Sequence, residues 1–370
     1  MSAPRPALIV FLDSLPHRIV PAMPFLSTLP YGPLRPGFGY SMNIKAELFA
    51  GLTPEKLGVL GSWNPTRRAP LAHRLLGWLS PLDNFAFTAR WLRRLGNRAF
   101  RRPLAWVPFH LLKYFAHYEV NAYQREFPHP TILQTPGAQR LLYRDFPPGP
   151  QRDEALFATA AARVDRVESL LFVASADLDH TGHLHGVGAP AYMEKIAALD
   201  AALARLVEAW RARFADAPVV VLSDHGMSNV TAGIDLAIER RFGPMRPDRY
   251  LASLDATMVR FWFRDATLHD EIAAYLAEQP HVTVLNEAQR ATFGLRAEHL
   301  GELIALLDEG RVVCPSFYFR EPPAGMHGYH PDAPGQTAVF AAHNAPTPLP
   351  PSVAEVFPYL QALLGRGSDG

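Results

Sequence analysis

The chain has a single cysteine, Cys314, in 370 residues, so an intrachain disulfide is impossible and a cysteine-rich zinc site is excluded. Net charge is almost absent: 36 Lys and Arg stand against 35 Asp and Glu, leaving +1. No chain-wide field therefore recruits a nucleic-acid polymer or a strongly acidic partner. Lysine is scarce, at Lys45, Lys56, Lys113 and Lys195 only, so basic charge is carried by arginine. No stretch reaches the roughly 18 consecutive apolar residues of a spanning helix. The apolar run Ala7–Leu12 is too short for the core of a signal peptide, lacks a small-residue cleavage site and ends in Asp13. These features predict a cytoplasmic protein.

What the chain does have is ordinary core material. Hydrophobic residues make up 48% and charged ones 19%, which suits a globular chain and excludes wholesale disorder. At about 150 residues per domain, the length predicts two to three domains, or one large domain with insertions. Proline, at 35, is about twice the usual ~5%, and its clusters at 147–150 and 346–351 read as loop punctuation.

Four short apolar runs, at Ala7–Leu12, 170–174, Val219–Leu222 and 337–342, lack polar alternation and read as buried parallel strands covered on both faces. Helical periodicity lies between them at 42–50, 153–167 and 191–214, the last carrying Ile196, Leu199, Leu203 and Leu206. Strands alternating with helices predict an α/β fold: a doubly wound, mostly parallel sheet with helices on both faces. Two stretches break the alternation and read as insertions. Residues 62–150 are aromatic and basic and predict a helical cap. Residues of about 228–326 mix a strand-like segment at 257–263 with helix-like segments at 268–276 and 297–307. The catalytic core would then comprise 1–61 and 151–370, apart from the smaller insertion.

Three of the four runs finish in or just before aspartate: Asp13, then Asp177 and Asp179, then Asp224. Ligands of open α/β sheets bind outside the carboxyl ends of strands, and aspartate is a poor strand residue that is costly to bury unpaired. Histidines accompany these acids in Asp179-His180-Thr181-Gly182-His183, in Asp224-His225-Gly226-Met227 and in Gly325-Met326-His327-Gly328-Tyr329. Imidazole with carboxylate suits Zn²⁺ and its first-row neighbours, whereas an all-oxygen set would suit Mg²⁺ or Ca²⁺. Two ions about 4 Å apart need roughly six or seven protein ligands, and the chain offers that many.

With these motifs in view, the sequence resembles the alkaline phosphatase superfamily, and within it the type I phosphodiesterase/nucleotide pyrophosphatase branch. The resemblance rests on Asp179-x-x-Gly182-His183, Ser223-Asp224-His225-Gly226-Met227 and His327-Gly328-Tyr329, in the family's chain order. Asp13 after the first strand, Met23-Pro24-Phe25-Leu26 and Gly51-Leu52-Thr53-Pro54-Glu55 match as well, and counting ten residues back from Gly51 reaches Ser41. It covers 1–61, 151–227 and 327–370 and omits the insertions.

The resemblance implies two divalent ions, zinc foremost with manganese as the other choice. One would be held by Asp179, His183 and His327, the other by Asp13, Asp224 and His225 with the Ser41 oxygen. Ser41 would attack phosphorus and form a phosphoseryl intermediate that water hydrolyses. The implied activity is hydrolysis of a phosphodiester or pyrophosphate bond in a small-molecule phosphate ester. A phosphomonoesterase or phosphoryl transferase on the same site is the alternative, and a non-catalytic, metal-stabilised binding module is a third reading.

The chain departs from the family pattern at three places. Serine stands where threonine is usual. The phosphate-contacting asparagine is displaced by one residue, to Asn43, which keeps it a catalytic candidate. His330 replaces the aspartate after His-Gly-Tyr. No Cys/Ser-x-Pro-x-Arg run surrounds Ser41, which argues against formylglycine-type sulfatase chemistry. Asp177 competes with Asp179 as a ligand, with motif spacing favouring Asp179, and Ser14, Ser27 and Thr28 are rival hydroxyls to Ser41. His180, His185 and His330 fall outside the motif positions.

In the predicted cap, nine arginines between 67 and 102 face one acid, Asp83, and are interleaved with Trp78, Phe85, Phe87, Trp91 and Phe100. Such a face could hold an anionic, partly apolar substrate or rest peripherally on an anionic membrane. It could equally be a helical cap with an aromatic core and solvated arginines.

Overall fold

The structure is a computed structural model that describes residues 6–66, 69, 71–76 and 106–365. The chain divides into two units, one of Met1–Thr53, Val120–Asn229 and Ala324–Gly370, the other of Pro54–Glu119 and Val230–Pro323.

The first unit is built on a six-stranded sheet in the order Tyr31–Leu34, Ala338–His343, Val219–Leu222, Ala7–Leu12, Leu170–Ser175, Gln139–Leu142. The last four run parallel. Every residue of Ala7–Leu12 is buried, because the pleat sends alternate side chains into two covered faces. Leu8, Val10 and Leu12 join Leu156, Phe157, Leu199, Leu203 and Leu206 of the helices Arg152–Ala162 and Pro190–Arg213. On the opposite face Phe11 meets Phe49 of the helix Ser41–Ala50, with ring centroids 5.7 Å apart, and Phe49 meets Phe172 at 5.3 Å. Against that helix packs Val353–Leu363. Each of these fully buried phenylalanines contributes roughly 1.5–3 kcal/mol through removal from water.

The predicted α/β architecture is present, with three differences of detail. Ala338–His343, expected as a parallel strand, runs antiparallel to Val219–Leu222, pairing Phe340 with Leu222. An apolar run covered on both faces reads the same in either direction, so its composition carries no polarity. Tyr31–Leu34 closes that edge, and its Pro33 is tolerated there because an edge strand leaves one row of donors unpaired. Gln139–Leu142 falls inside the 62–150 stretch expected as cap, yet it extends the central sheet by pairing with Leu170–Ser175.

The second unit joins the two insertions. Its four-stranded antiparallel sheet has the order Tyr250–Leu254, Met258–Phe263, Leu303–Leu307, Val282–Val284. The 297–307 segment, expected as helical, is a short 3₁₀ turn, Glu298–Leu300, followed by the interior strand Leu303–Leu307. Five consecutive apolar residues satisfy either template, and pairing on both sides decides for strand. Arg260 ties the insertions together. Fully buried, its guanidinium donates to Asp255 Oδ2 (2.9 Å), Trp63 O (2.7 Å) and Asn64 Oδ1 (3.0 Å). A buried charge persists only with such pairing. Of the predicted basic aromatic face, Arg74 is described and is exposed in a short helix, Leu71–Leu76, while Trp78, Phe85, Phe87, Trp91, Phe100 and the other eight arginines lie outside the described residues. No described helix is long and apolar enough to cross a membrane.

Candidate active site

Three parallel neighbours, Val219–Leu222, Ala7–Leu12 and Leu170–Ser175, end side by side. Asp13 follows the middle one, Asp224 and His225 follow the first, and the helix Asp177–His185 begins just beyond the third. Parallel pairing thus brings together acids that stand up to about two hundred positions apart in sequence. The turn after Leu12 is pinned to the Asp224 loop: Ser14 N donates to Asp224 Oδ1 at 3.2 Å, and Leu15 N donates to Ser223 Oγ at 2.8 Å. Gly226 is required by close approach, since a Cβ there would lie 2.1 Å from the Gly335 carbonyl oxygen.

His183 follows Asp179 by one helical turn, and its Nε2 lies 3.4 Å from Asp179 Oδ1. His327 arrives from the far side of the second insertion on a two-residue strand, Gly325–Met326, paired antiparallel with Ser228–Asn229. Its Nε2 is 3.5 Å from Asp179 Oδ1, and its ring stacks on His225 with centroids 3.8 Å apart. Gln336 supports that loop, accepting from Gly328 N at 2.9 Å and donating to Ser228 Oγ at 2.9 Å. Sequence reasoning missed Gln336, because only the folded loop shows what it touches.

Two imidazoles have their proton positions set by backbone. His225 Nδ1 lies 2.8 Å from Gly226 O, and His183 Nδ1 lies 2.9 Å from Gly325 O. A carbonyl only accepts, so each Nδ1 carries a proton, and Nε2, which faces the cluster, is a lone pair whenever the ring is neutral. Ser41 Oγ sits 2.8 Å from His225 Nε2 and donates to it. The rival hydroxyls are turned to backbone instead: Ser14 to Gly226 O, Ser27 to Pro24 O and Thr28 to Phe25 O.

The helix bearing Ser41 ends at Gly51, which adopts φ 66° and ψ 25° and returns its N–H to the carbonyls of Ala46 and Glu47. This left-handed C-terminal residue gives the Gly51-Leu52-Thr53-Pro54-Glu55 motif its glycine. Asn43 is buried in the first turn of the same helix, two residues beyond Ser41. Lys45 lies on Ser41's face of the helix, one turn on. Its Nζ lies 2.5 Å from Asp13 Oδ2 and 3.7 Å from Asp224 Oδ2. This contact too was missed in the sequence, although a lysine at i+4 from a candidate nucleophile, in a chain with four lysines, was the available signal. Asp177 is engaged elsewhere, by Arg152 at 3.2 Å and Lys195 at 3.9 Å. His180 and His185 are exposed.

Two groups of side chains have atoms close enough to share an ion: Asp13, Asp224 and His225, and Asp179, His225 and His327. The first is the set expected from sequence. In the second, His225 stands where His183 was expected, with His183 remaining beside Asp179. Asp13 Oδ1, Asp179 Oδ1 and Asp224 Oδ2 are buried without a hydrogen-bond partner. Orphaned buried carboxylate oxygens are costly, and a cation is the natural remedy. The residues therefore fit divalent ions.

Burial, with the Asp224 carboxylate beside it, pushes Asp13 well above the usual carboxylate range. Burial would also raise Asp179, but the His183 and His327 imidazoles outweigh it and hold the acid far below that range. Burial would lower His183, yet Asp179 outweighs this and pushes it up to about 9. Burial and the neighbouring His225 drive His327 well below the ordinary imidazole value.

A mostly parallel α/β sheet with a carboxylate–imidazole cluster at its strand ends defines a hydrolase of the alkaline phosphatase type. The model of the type I phosphodiesterase/nucleotide pyrophosphatase family matches residues 48–330, and the chain belongs to that family of metal-dependent phosphodiesterase and pyrophosphatase hydrolases. No curated protein sequence matches it. Among solved structures, human ectonucleotide pyrophosphatase/phosphodiesterase 5 superimposes with a TM-score of 0.68 at 16% identity, covering 99% of this chain and 96% of that one. An inactive variant of the murine protein in complex with AMP gives 0.68 at 15% identity over the same shares of the two chains. At such identities the likeness bears on fold alone.

Proposed function

We propose that the chain cleaves a phosphodiester or pyrophosphate bond of a small-molecule ester with Ser41 as nucleophile, supported by two divalent ions, zinc foremost with manganese as the alternative. Asp179, His183 and His327 would hold one ion. Asp13, Asp224, His225 and the Ser41 oxygen would hold the other. The observation carrying this reading is the Ser41 Oγ contact of 2.8 Å with His225 Nε2, inside a cluster in which Asp13 Oδ1, Asp179 Oδ1 and Asp224 Oδ2 lack donors.

When bound, the ions supply Lewis acidity that favours the Ser41 alkoxide and offsets charge on the phosphoryl oxygens. The chain's own groups set the geometry. Gly226 O fixes the His225 tautomer, so the Nε2 lone pair, which holds the Ser41 hydroxyl in the ion-free cluster, is the one that would pass to the ion. Ser41 gives up its hydroxyl proton to solvent, its Oγ forms a bond to phosphorus as the bond to the leaving oxygen breaks, and that oxygen departs with a proton taken from solvent. Water then breaks the phosphoseryl bond, releasing a phosphate monoester and restoring the hydroxyl. Asn43, buried in the first turn of the same helix, would contact the phosphate.

The test compares bis-p-nitrophenyl phosphate, p-nitrophenyl phosphate and nucleoside pyrophosphates, with the AMP bound to the murine relative as the reason for the last. The expected outcome is selective diester or pyrophosphate turnover with zinc or manganese present, abolished in Ser41→Ala. Equal turnover in Ser41→Ala would refute the nucleophile, and faster monoester than diester cleavage would turn the reading to a phosphomonoesterase.

A further inference from the structure

We infer that Gln336 is the positioning residue of His327: its carboxamide holds that imidazole at the cluster, so that the ion at Asp179, His183 and His327 depends on it and the other ion does not. This deepens the functional reading above and rests on it.

His327 reaches the cluster with little support from its own strand. Gly325–Met326 has two residues, paired as Gly325 with Asn229 and Met326 with Ser228, and the ladder ends one residue before the imidazole. Pairing fixes the backbone only as far as its last hydrogen-bonded residues. Position 330, where the family pattern has aspartate, holds a histidine whose Nδ1 accepts from Asp332 N at 3.2 Å.

Gln336 grips the loop on both sides of His327. It closes the 3₁₀ turn Pro334–Gln336 and is 1% exposed. Its Oε1 accepts from Gly328 N at 2.9 Å and Tyr329 N at 3.4 Å, the two amides directly after His327. Its Nε2 donates to Ser228 Oγ at 2.9 Å, and Ser228 is the strand partner of Met326, the residue directly before. A carboxamide has an acceptor end and a donor end, and the Ser228 contact decides which of them faces Gly328. The main chain of the same residue has a separate task. Gln336 O accepts from Gly226 N at 2.8 Å, in the loop that follows Asp224 and His225. Changing the side chain therefore releases His327 while the Asp224–His225 loop stays tied. Groups that orient a metal ligand are typically worth roughly 10–100-fold in metal affinity.

The experiment is calorimetric titration of Zn²⁺ alone into chelator-stripped protein, with thermal unfolding of each variant alongside. The wild type is expected to bind two Zn²⁺ per chain. Gln336→Met, which keeps length and removes both polar ends, is expected to weaken one Zn²⁺ about tenfold or more and leave the other unchanged. Gln336→Glu keeps the acceptor for Gly328 N and lets Ser228 donate to its second oxygen, so it is expected to retain both ions. Ser228→Ala is expected to weaken the same single ion by a smaller factor. Val356→Ala, in the buried face of the helix Val353–Leu363, controls for a general loss of stability: it is expected to lower the melting temperature and keep both ions. A folded Gln336→Met that binds both ions as the wild type does, or weakens both alike, overturns the inference. Should Gln336→Met fail to fold, unaltered affinities in Ser228→Ala overturn it. In either case two ions in the wild type leave the functional reading standing. If the wild type binds no Zn²⁺, both fall.

Discussion

Glu47 offers a quantitative check on the helix that carries Ser41 and Lys45. Burial pushes its carboxyl from 4.5 up to about 7, with Arg35 opposing the shift only in part. The folded state therefore prefers the protonated acid. This preference is fully present below pH 4.5, where both states are protonated, and is lost as pH rises through about 7. At about 1.4 kcal/mol for each pH unit, the ionised carboxylate costs the fold ~3 kcal/mol above pH 7. Glu47→Gln keeps the shape and removes the charge. It should match the wild type at pH 4.5 and exceed it by up to ~3 kcal/mol at pH 8. Urea unfolding of chelator-treated wild type and variant, across that range, reads the difference directly and cancels every other titrating group. Parallel pH profiles for the two proteins would refute the burial argument.

Gly226→Ala drives a methyl into the Gly335 carbonyl and should lower stability by about 2 kcal/mol or more while weakening Zn²⁺ binding, read from the urea midpoint and a metal titration. Arg260→Ala strands Asp255 among buried groups and should cost about 3–5 kcal/mol, measured by thermal unfolding; an unchanged melting temperature would show the pair to be dispensable. Stripping divalent ions should lower the melting temperature, because the orphaned carboxylates lose their counter-charge. Restoring Zn²⁺ at about a hundred times its dissociation constant should return ~2.7 kcal/mol, followed by differential scanning fluorimetry.

Much of the site can be read along the chain because its signals are local. Asp179 and His183 are one turn apart on one helix, and Asp224 and His225 are adjacent, so each pair carries its geometry in its spacing. The buried runs at Ala7–Leu12 and Val219–Leu222 likewise announce strands by composition, and the 24-residue helix Pro190–Arg213 announces itself by period.

What required the tertiary structure is whatever depends on partners distant in sequence. The direction of Ala338–His343 is such a case, as is the Leu303–Leu307 strand inside a stretch with helical character. So is the union of both insertions around Arg260. The same holds for Lys45, whose spacing placed it beside Ser41 but could not reveal Asp13 and Asp224 across the gap. Periodicity and side-chain chemistry are properties of a few neighbouring residues, whereas strand polarity, register and the balance of a buried charge arise only when remote segments pack together.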